Sequence, residues 1–230
     1  MLDAVYAVFT QGWADPAGAD PRSRGLVEEA LFLGRLISAL APGEPEPAGL
    51  VALMLYTHAR RGARRDAGGR FVPLDEQDTA LWDAALIEEA EALMLRAVRM
   101  GRFGRFQLEA AIQSAHAHRR LSGQTDWAAV VDLYDTLLAQ TGSVVAALNR
   151  AVAVSRLTGP EAGLKALAEL AGDPRLQDYQ PYWAARADLC HRAGDRTEAA
   201  HAYGGRSDWK AIRRCAACCR TGWRAWARRH

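Results

Sequence analysis

The chain has 230 residues, half of them apolar and about a quarter charged, and its formal net charge is +2. This composition is ordinary for a globular protein and excludes a disordered or fibrous chain, and the length suffices to bury a core without disulfides or metal. The longest apolar stretches fall well short of the ~18 residues that a membrane span needs, and the first residues lack a signal peptide's basic start. We therefore expect a cytoplasmic protein without membrane contacts.

The basic residues are concentrated at the carboxyl end. Residues 204–230 contain eight lysines and arginines and one acid, so residues 1–203 carry a net negative charge. A nucleic-acid-binding face spread over the body of the chain is therefore not expected. The basic, Trp-containing tail fits either contacts with phosphates or an end without fixed structure, and we favour the second interpretation.

Apolar residues recur at helical spacing along almost the whole chain, and no alternating run rich in valine and isoleucine predicts a sheet. In the first half this pattern predicts helices at 2–12, 23–40, 46–59, 78–100 and 107–120. A Pro/Gly/Asp loop at 14–21 and a longer polar loop at 62–73 separate some of them. The upstream part is thus helical but irregular.

The second half has a more regular pattern. A helix at 126–140 carries an apolar stripe from Trp127 to Leu138, Gly142 ends it, and Ser143 begins the next helix. Further helices are predicted at 161–170, after Pro160, at 179–192, and from Asp195 onwards. The pairs recur at close to 34 residues, the period of tetratricopeptide (TPR) helical hairpins.

Small and apolar residues in these helices predict how they pack. In the helix after Ser143 we expect an inward-facing apolar row. Alanines in this region should let neighbouring helices approach closely. The expected inward residues are Val144, Leu148, Val152 and Leu157, and the expected packing alanines are Ala151, Ala168, Ala187 and Ala199.

The expected fold is all-α, a right-handed array of antiparallel helix pairs that is TPR-like in the C-terminal half. Its predicted parts are an irregular helical region at 1–122, TPR-like helix pairs at 123–203, and the basic Cys/Trp/Arg-rich tail at 204–230. Such an array leaves a concave surface for a partner.

A polar constellation around the long loop is the main candidate site. It contains arginines and an acid on one side and a short run of polar residues with a tryptophan on the other. It could recognise an acidic ligand or partner through bidentate arginine contacts. In the structural interpretation, which we favour slightly, Asp78 caps a helix, Trp82 is core, and the arginines pair with nearby acids. The members are Arg60, Arg61, Arg64, Asp66, Gln77, Asp78, Trp82 and Asp83.

Metal binding and catalysis receive little support from the sequence. Cys215, Cys218 and Cys219 have a metal-knuckle spacing, but no second pair supplies the four ligands of a closed zinc site, so they are weak candidates. His116 and His118 stand two apart on a helix and do not share a face for a metal. Because no catalytic motif is present, we expect neither an enzyme nor a cofactor.

Several motifs, in order, resemble those of the C-terminal extension of certain bacterial extracytoplasmic-function (ECF) sigma factors. The longest is the string from Gly69 to Asp83, which is similar to G-x-x-V-x-L-x-x-Q-D-R-x-x-W-D. Thr79 stands where that family usually has arginine. The other matching segments are 9–13, 52–55, 59–61, 107–112, 116–117, 125–127, 133–135, 148–153, 159–160 and 185–187.

This resemblance, which covers residues 1–203, implies a TPR-like domain that controls transcription initiation through protein contacts. It implies RNA polymerase or sigma domains as partners, and no sequence-specific DNA binding, since the two promoter-reading sigma domains are not present. It adds Gln107, Trp127, Asn149 and Arg150 to the candidate contact residues. The resemblance stops at Tyr203, where we hypothesise a frameshift in a truncated gene.

Two other functions remain open from the residues alone. One is a stand-alone TPR-type adaptor unconnected with transcription. The other is a helical domain that binds a small molecule, which a deep apolar pocket near Trp82 and Trp127 would favour.

Overall fold

The computed structural model describes residues 1–14 and 25–204, and over these residues the protein is helical, as the all-α prediction requires. The only extended pairing in the described ranges is an isolated antiparallel bridge between Arg65 and Phe71. None of the helices within them is long and apolar enough to cross a membrane. The described chain divides into two compact units, one of residues 1–64 and 75–126, the other of residues 65–74 and the chain from Trp127 onward.

The first unit is built around one apolar helix, α3. Its helices are α1 (Leu2–Ala14), α2 (Leu26–Leu40), α3 (Pro45–Ala59), α4 (Ala84–Val98), α5 (Arg105–Ala117) and the short α6 (Arg119–Ser122). Every residue from Ala48 to Tyr56 is buried, because α3 contacts α1, α2, α4 and α5. A helix that is apolar on all sides is expected in such a central position.

Two glycines allow the neighbouring helices to approach α3 closely. A Cβ atom on Gly34 of α2 would lie 2.8 Å from Cε of Met54, and one on Gly49 of α3 would lie 2.7 Å from the backbone nitrogen of Gln107. Side chains at these positions would push the helices apart. The two contacts therefore fix which faces of α2 and α5 are turned towards α3.

The segment before α4 differs from the predicted helix at 78–100. Asp78 caps a single 3₁₀ turn, Thr79–Leu81, by accepting a hydrogen bond from the Ala80 amide at 2.9 Å. Asp83 then caps α4 by accepting from the Leu86 amide at 3.1 Å. Two acidic caps five residues apart divide the apparent helix, since each favours its own first turn.

The second unit contains the helices of the predicted TPR-like region. They are α7 (Trp127–Thr141), α8 (Val144–Thr158), α9 (Pro160–Ala168), the short α10 (Pro174–Gln177), α11 (Gln180–Arg192) and α12 (Arg196–Gly204). Ser143 caps α8 as predicted, and Asp195 accepts a hydrogen bond from the Glu198 amide at 2.9 Å. Only this half of the capping box predicted for Asp195 and Glu198 is present, because the Glu198 carboxylate accepts from Arg186 at 2.7 Å. The handedness of the array stays a prediction.

The core of this unit is formed by α8, α9, α10 and α11. Its members are Leu148, Ala151, Leu167, Leu176, Tyr182 and Leu189. The predicted inward row on α8 is wrong at Leu157, which is 47% exposed, and the predicted packing residue Ala168 is exposed too. Gly163 of α9 instead makes the close approach, since a Cβ atom there would lie 2.5 Å from Cβ of Ser155. Close contact at Ser155 and Gly163, together with the core residues Leu148 and Ala151, therefore buries α8.

Candidate functional site

The predicted site residues are distributed over both units. Arg60, Arg61, Arg64, Gln77, Asp78, Trp82, Asp83 and Gln107 lie in the first unit, Trp127, Asn149 and Arg150 lie in the second, and Asp66 belongs to the 65–74 segment that groups with the second. The candidate zinc ligands Cys215, Cys218 and Cys219 lie outside the described residues. Seven of the first-unit residues form the arrangement near the end of α3. Gln107 lies instead against the first part of α3, where its backbone amide donates to the Glu46 carboxylate at 3.2 Å.

The three arginines that follow α3 extend towards three different helices. Arg60 donates to the side-chain oxygen of Gln113 on α5 at 2.7 Å. Arg61 stands 3.9 Å from the Glu28 carboxylate on α2. Arg64 donates to the Trp13 carbonyl on α1 at 2.9 Å, and its guanidinium lies 4.0 Å from the centre of the Trp13 ring. Arg60 and Arg64 thus tie the end of α3 to α5 and α1, and Arg61 makes a looser contact with α2.

The acids of the constellation hold local backbone. Asp78 and Asp83 are the caps described above, and the Asp83 amide also donates to the Ala59 carbonyl at 2.9 Å. Asp66 accepts from the backbone amides of Gly68 and Arg70 at 2.9 Å and from the Arg70 guanidinium at 2.6 Å. The Arg70 amide first, and then the Arg70 side chain, hold the pKa of the Asp66 carboxyl below its ordinary value.

Arg119, which was not among the predicted site residues, fixes the polar segment before Trp82. It donates to the backbone carbonyls of Asp75 and Gln77, and its guanidinium lies 5.2 Å from the centre of the Trp82 ring. Gln77 is buried, and Trp82 is only 4% exposed, so its predicted core position is confirmed. The sequence contains no signal that links Arg119 to this segment, because its acceptors lie 44 and 42 residues away in the chain.

His116 lies buried in the same region and was also missed. Burial lowers its pKa to about 4, and the nearby positive charges of Arg60 and Arg119 act in the same direction, while Asp75 opposes them. The imidazole is therefore neutral at neutral pH. We name Arg60, Asp75, Gln77, Trp82, His116 and Arg119 the histidine cluster.

The histidine cluster joins elements distant in sequence, namely the end of α3, the segment before α4, and the junction of α5 and α6. Arg60 and Arg119 donate hydrogen bonds to neutral amide and carbonyl oxygens of the protein itself. No group of three or more His, Cys, Asp or Glu side chains with metal-binding proximity occurs in the described ranges. The cluster can therefore hold the segment before α4 against α3 and α5. Because His116 lies within the cluster, its protonation would affect this contact.

The motif residues of the second unit lie on α7 and α8. Trp127 begins α7 and is half-buried. Arg150 pairs with the Asp135 carboxylate, which links α8 to α7 and raises the pKa of Arg150. Asn149, by contrast, is exposed. The structure therefore brings Arg150 into the helix-pair contact and leaves the neighbouring Asn149 amide on the surface.

Comparison with known proteins gives relatives of undetermined function. Residues 1–98, which end with α4, match the model of DUF6596, described as a family of unknown function. The chain is also 42% identical over 199 residues to "Uncharacterized protein R00370" of Rhizobium meliloti (strain 1021). The match covers 86% of this chain but 47% of that protein, so the chain spans about half the length of the curated relative. No solved structure matches.

Proposed function

We propose that this chain is a regulatory protein-interaction domain of the kind that extends ECF sigma factors, and that it acts on transcription initiation through protein contacts. The observation that carries the proposal is the structural use of the sigma-extension motif. Its residues Gln77, Asp78, Trp82 and Asp83 are, in this chain, a buried amide, two caps and a core ring. Because these motif residues stabilise the fold, proteins that share the motif are expected to share the fold. This supports a relationship between the chain and the family that it resembles.

The polar groups of the constellation also support a binding role. A catalytic site requires side chains that converge on a reacting atom. Here the arginines diverge to three helices, and the acids are bound to backbone amides. These residues act on the stability of the domain, and the partner would be met elsewhere on its surface.

Asn149 is the motif residue best placed to meet a partner. It lies in the resembling segment 148–153, it is exposed on α8, and no hydrogen bond from its amide to another described residue is present. An amide offers both donors and an acceptor, which suits recognition of a partner's backbone or polar side chains. Removing one such contact typically costs about 1 kcal/mol, or about fivefold in affinity.

The test is direct binding of the purified chain to core RNA polymerase from the bacterium that encodes it. A second candidate partner, produced as a separate protein, is the half of the Rhizobium relative that lies outside the matched region. We expect saturable binding to at least one of them in biolayer interferometry. Asn149→Ala should weaken it several-fold, while Thr158→Ala, at the exposed end of the same helix, should leave it unchanged.

Two outcomes would contradict parts of this proposal. If neither polymerase nor the other half of the relative binds, the transcription proposal is refuted and a stand-alone adaptor becomes the better explanation. If both bind but Asn149→Ala has no more effect than Thr158→Ala, the contact lies elsewhere on the domain.

A further inference from the structure

An exposed apolar row runs along α2 on the side that faces away from α3. Phe32, Leu36 and Leu40 are spaced four residues apart, which places them on one face of a helix. Their exposed fractions are 60%, 44% and 76%. Single exposed apolar residues are normal, but three in register along a helix form a continuous strip of the kind that mediates contacts. We call these three residues the α2 strip.

The α2 strip cannot turn inward by rotation of the helix. Gly34 is held against Met54 and Val51 on the opposite face, since a Cβ atom there would already lie within 3.1 Å of both side chains. On one flank, Arg35 makes two hydrogen bonds of 2.8 Å to the Glu89 carboxylate of α4. The packing of the unit therefore fixes the strip in its outward position.

The charges along α2 indicate which partner the strip fits. Its first turn carries Glu28 and Glu29, its last turn has no basic residue, and its only cation, Arg35, is bound to Glu89. Glu28 is held only loosely, since Arg61 stands 3.9 Å away and the Glu28 side chain is 64% exposed. The carbonyl end of the helix adds a partial negative charge. The cations Arg35 and Arg96 are held in the contact with α4, where Arg96 donates to Ser38 of α2 at 3.0 Å. The amino-terminal end of the strip is therefore apolar and acidic.

We infer that the α2 strip is a docking surface for an amphipathic helix of a protein partner that places basic residues beside its apolar face. Apolar anchors spaced by helical turns are the usual basis for helix-on-helix recognition. Flanking acids would attract the partner's lysines or arginines and repel an anionic membrane, whose binding helices carry basic residues instead. This inference rests on the proposed function and names the chemistry of the contact.

A designed peptide tests the surface without polymerase, so its outcome is independent of the test proposed for the function. The probe is a fluorescein-labelled helix of leucine and lysine with one apolar face, and the matched probe has glutamate in place of every lysine. We expect the basic peptide to bind in fluorescence anisotropy at least tenfold more tightly than the acidic one. The double substitution Phe32→Ser, Leu36→Ser should weaken its binding at least tenfold.

Two further double variants control for non-specific apolar binding of the peptides and for the contribution of the acidic residues. Leu121→Ser with Leu157→Ser removes two exposed leucines far from α2 in sequence and should leave the affinity unchanged. Glu28→Gln with Glu29→Gln should weaken binding a few-fold and flatten its dependence on salt. Circular dichroism of each variant checks that it is folded. We expect this because all the substituted residues are exposed or partly exposed.

Three results would overturn the inference. The first is that the chain binds the basic and the acidic peptide with equal affinity, or that the α2 and control variants lose the same affinity for the basic peptide. The second is a dimer in light scattering that Phe32→Ser dissolves, which would make a second copy the occupant. The third is binding of the chain to vesicles with anionic lipid that depends on Phe32.

Discussion

Protonation of His116 should destabilise the fold measurably above pH 4. The pKa of this buried imidazole is lowered to about 4 in the folded chain, against an ordinary value of 6.5. The folded state therefore binds fewer protons than the unfolded state between these values, and stability is lost as the pH falls from 6.5 towards 4. The full shift corresponds to about 3 kcal/mol, and about 2 kcal/mol of it should be lost by pH 5.

Urea unfolding followed by circular dichroism at pH 7.5 and pH 5.0 measures this loss. The comparison is between the parent chain and His116→Gln, whose side chain does not titrate. Other groups titrate equally in both, so the parent should lose about 2 kcal/mol more than the variant over this interval. His118→Gln, which alters an exposed histidine two residues away, is the control and should behave as the parent does.

The reasoning fails if the parent and His116→Gln lose the same stability between the two pH values. It also fails if His118→Gln removes the pH dependence, since the sensitivity would then belong to a surface group. A general destabilisation of His116→Gln at both pH values would not affect the test, because only the difference between pH values is compared.

Three further substitutions test the packing, a cap and an ion pair, each by urea unfolding. Gly49→Ala should destabilise by about 1–3 kcal/mol, since the new methyl group would lie 2.7 Å from the backbone of α5, whereas Gly43→Ala meets no atom within 4 Å and should be nearly neutral. Asp83→Ala should cost about 1 kcal/mol through loss of the α4 cap. Arg150→Ala should cost less than about 1 kcal/mol, since its ion pair to α7 is partly exposed.

Elements with a local signal were predictable from the sequence. Ser143 and Asp195 cap helices because their side chains accept bonds from amides three residues on. Gly142 ends α7 with a φ of 59°, a conformation that favours glycine. Such signals depend on a few neighbouring residues, and a single sequence contains them in full.

Elements decided by neighbours distant in the chain were not predictable. The helix predicted at 78–100 has an apolar period throughout, yet the Asp83 amide bonds to the Ala59 carbonyl and the chain turns there. Leu157 has the spacing of a core residue, but contact between Ser155 and Gly163 determines how α8 meets α9. In both cases tertiary contact overrode a local pattern.

The candidate site shows the same limit in its side chains. Arg119 donates to the carbonyls of Asp75 and Gln77, which lie 44 and 42 residues before it in the chain. No spacing rule links such positions. A histidine on a helix likewise carries no mark of burial, so the perturbed pKa of His116 emerged only when its neighbours in space were known.

An arginine-rich segment at the end of a helix suggests an anion site only if its side chains can converge. Successive residues of a helix point about 100° apart, so Arg60 and Arg61 would diverge if α3 continued through them. Arg60 and Arg64 are four apart and could share a face in a continued helix. The chain leaves the helix after Ala59, however, and these two reach α5 and α1. The arginines thus brace the end of α3, and recognition of a partner is better sought at Asn149 and the α2 strip, whose side chains the fold leaves outside.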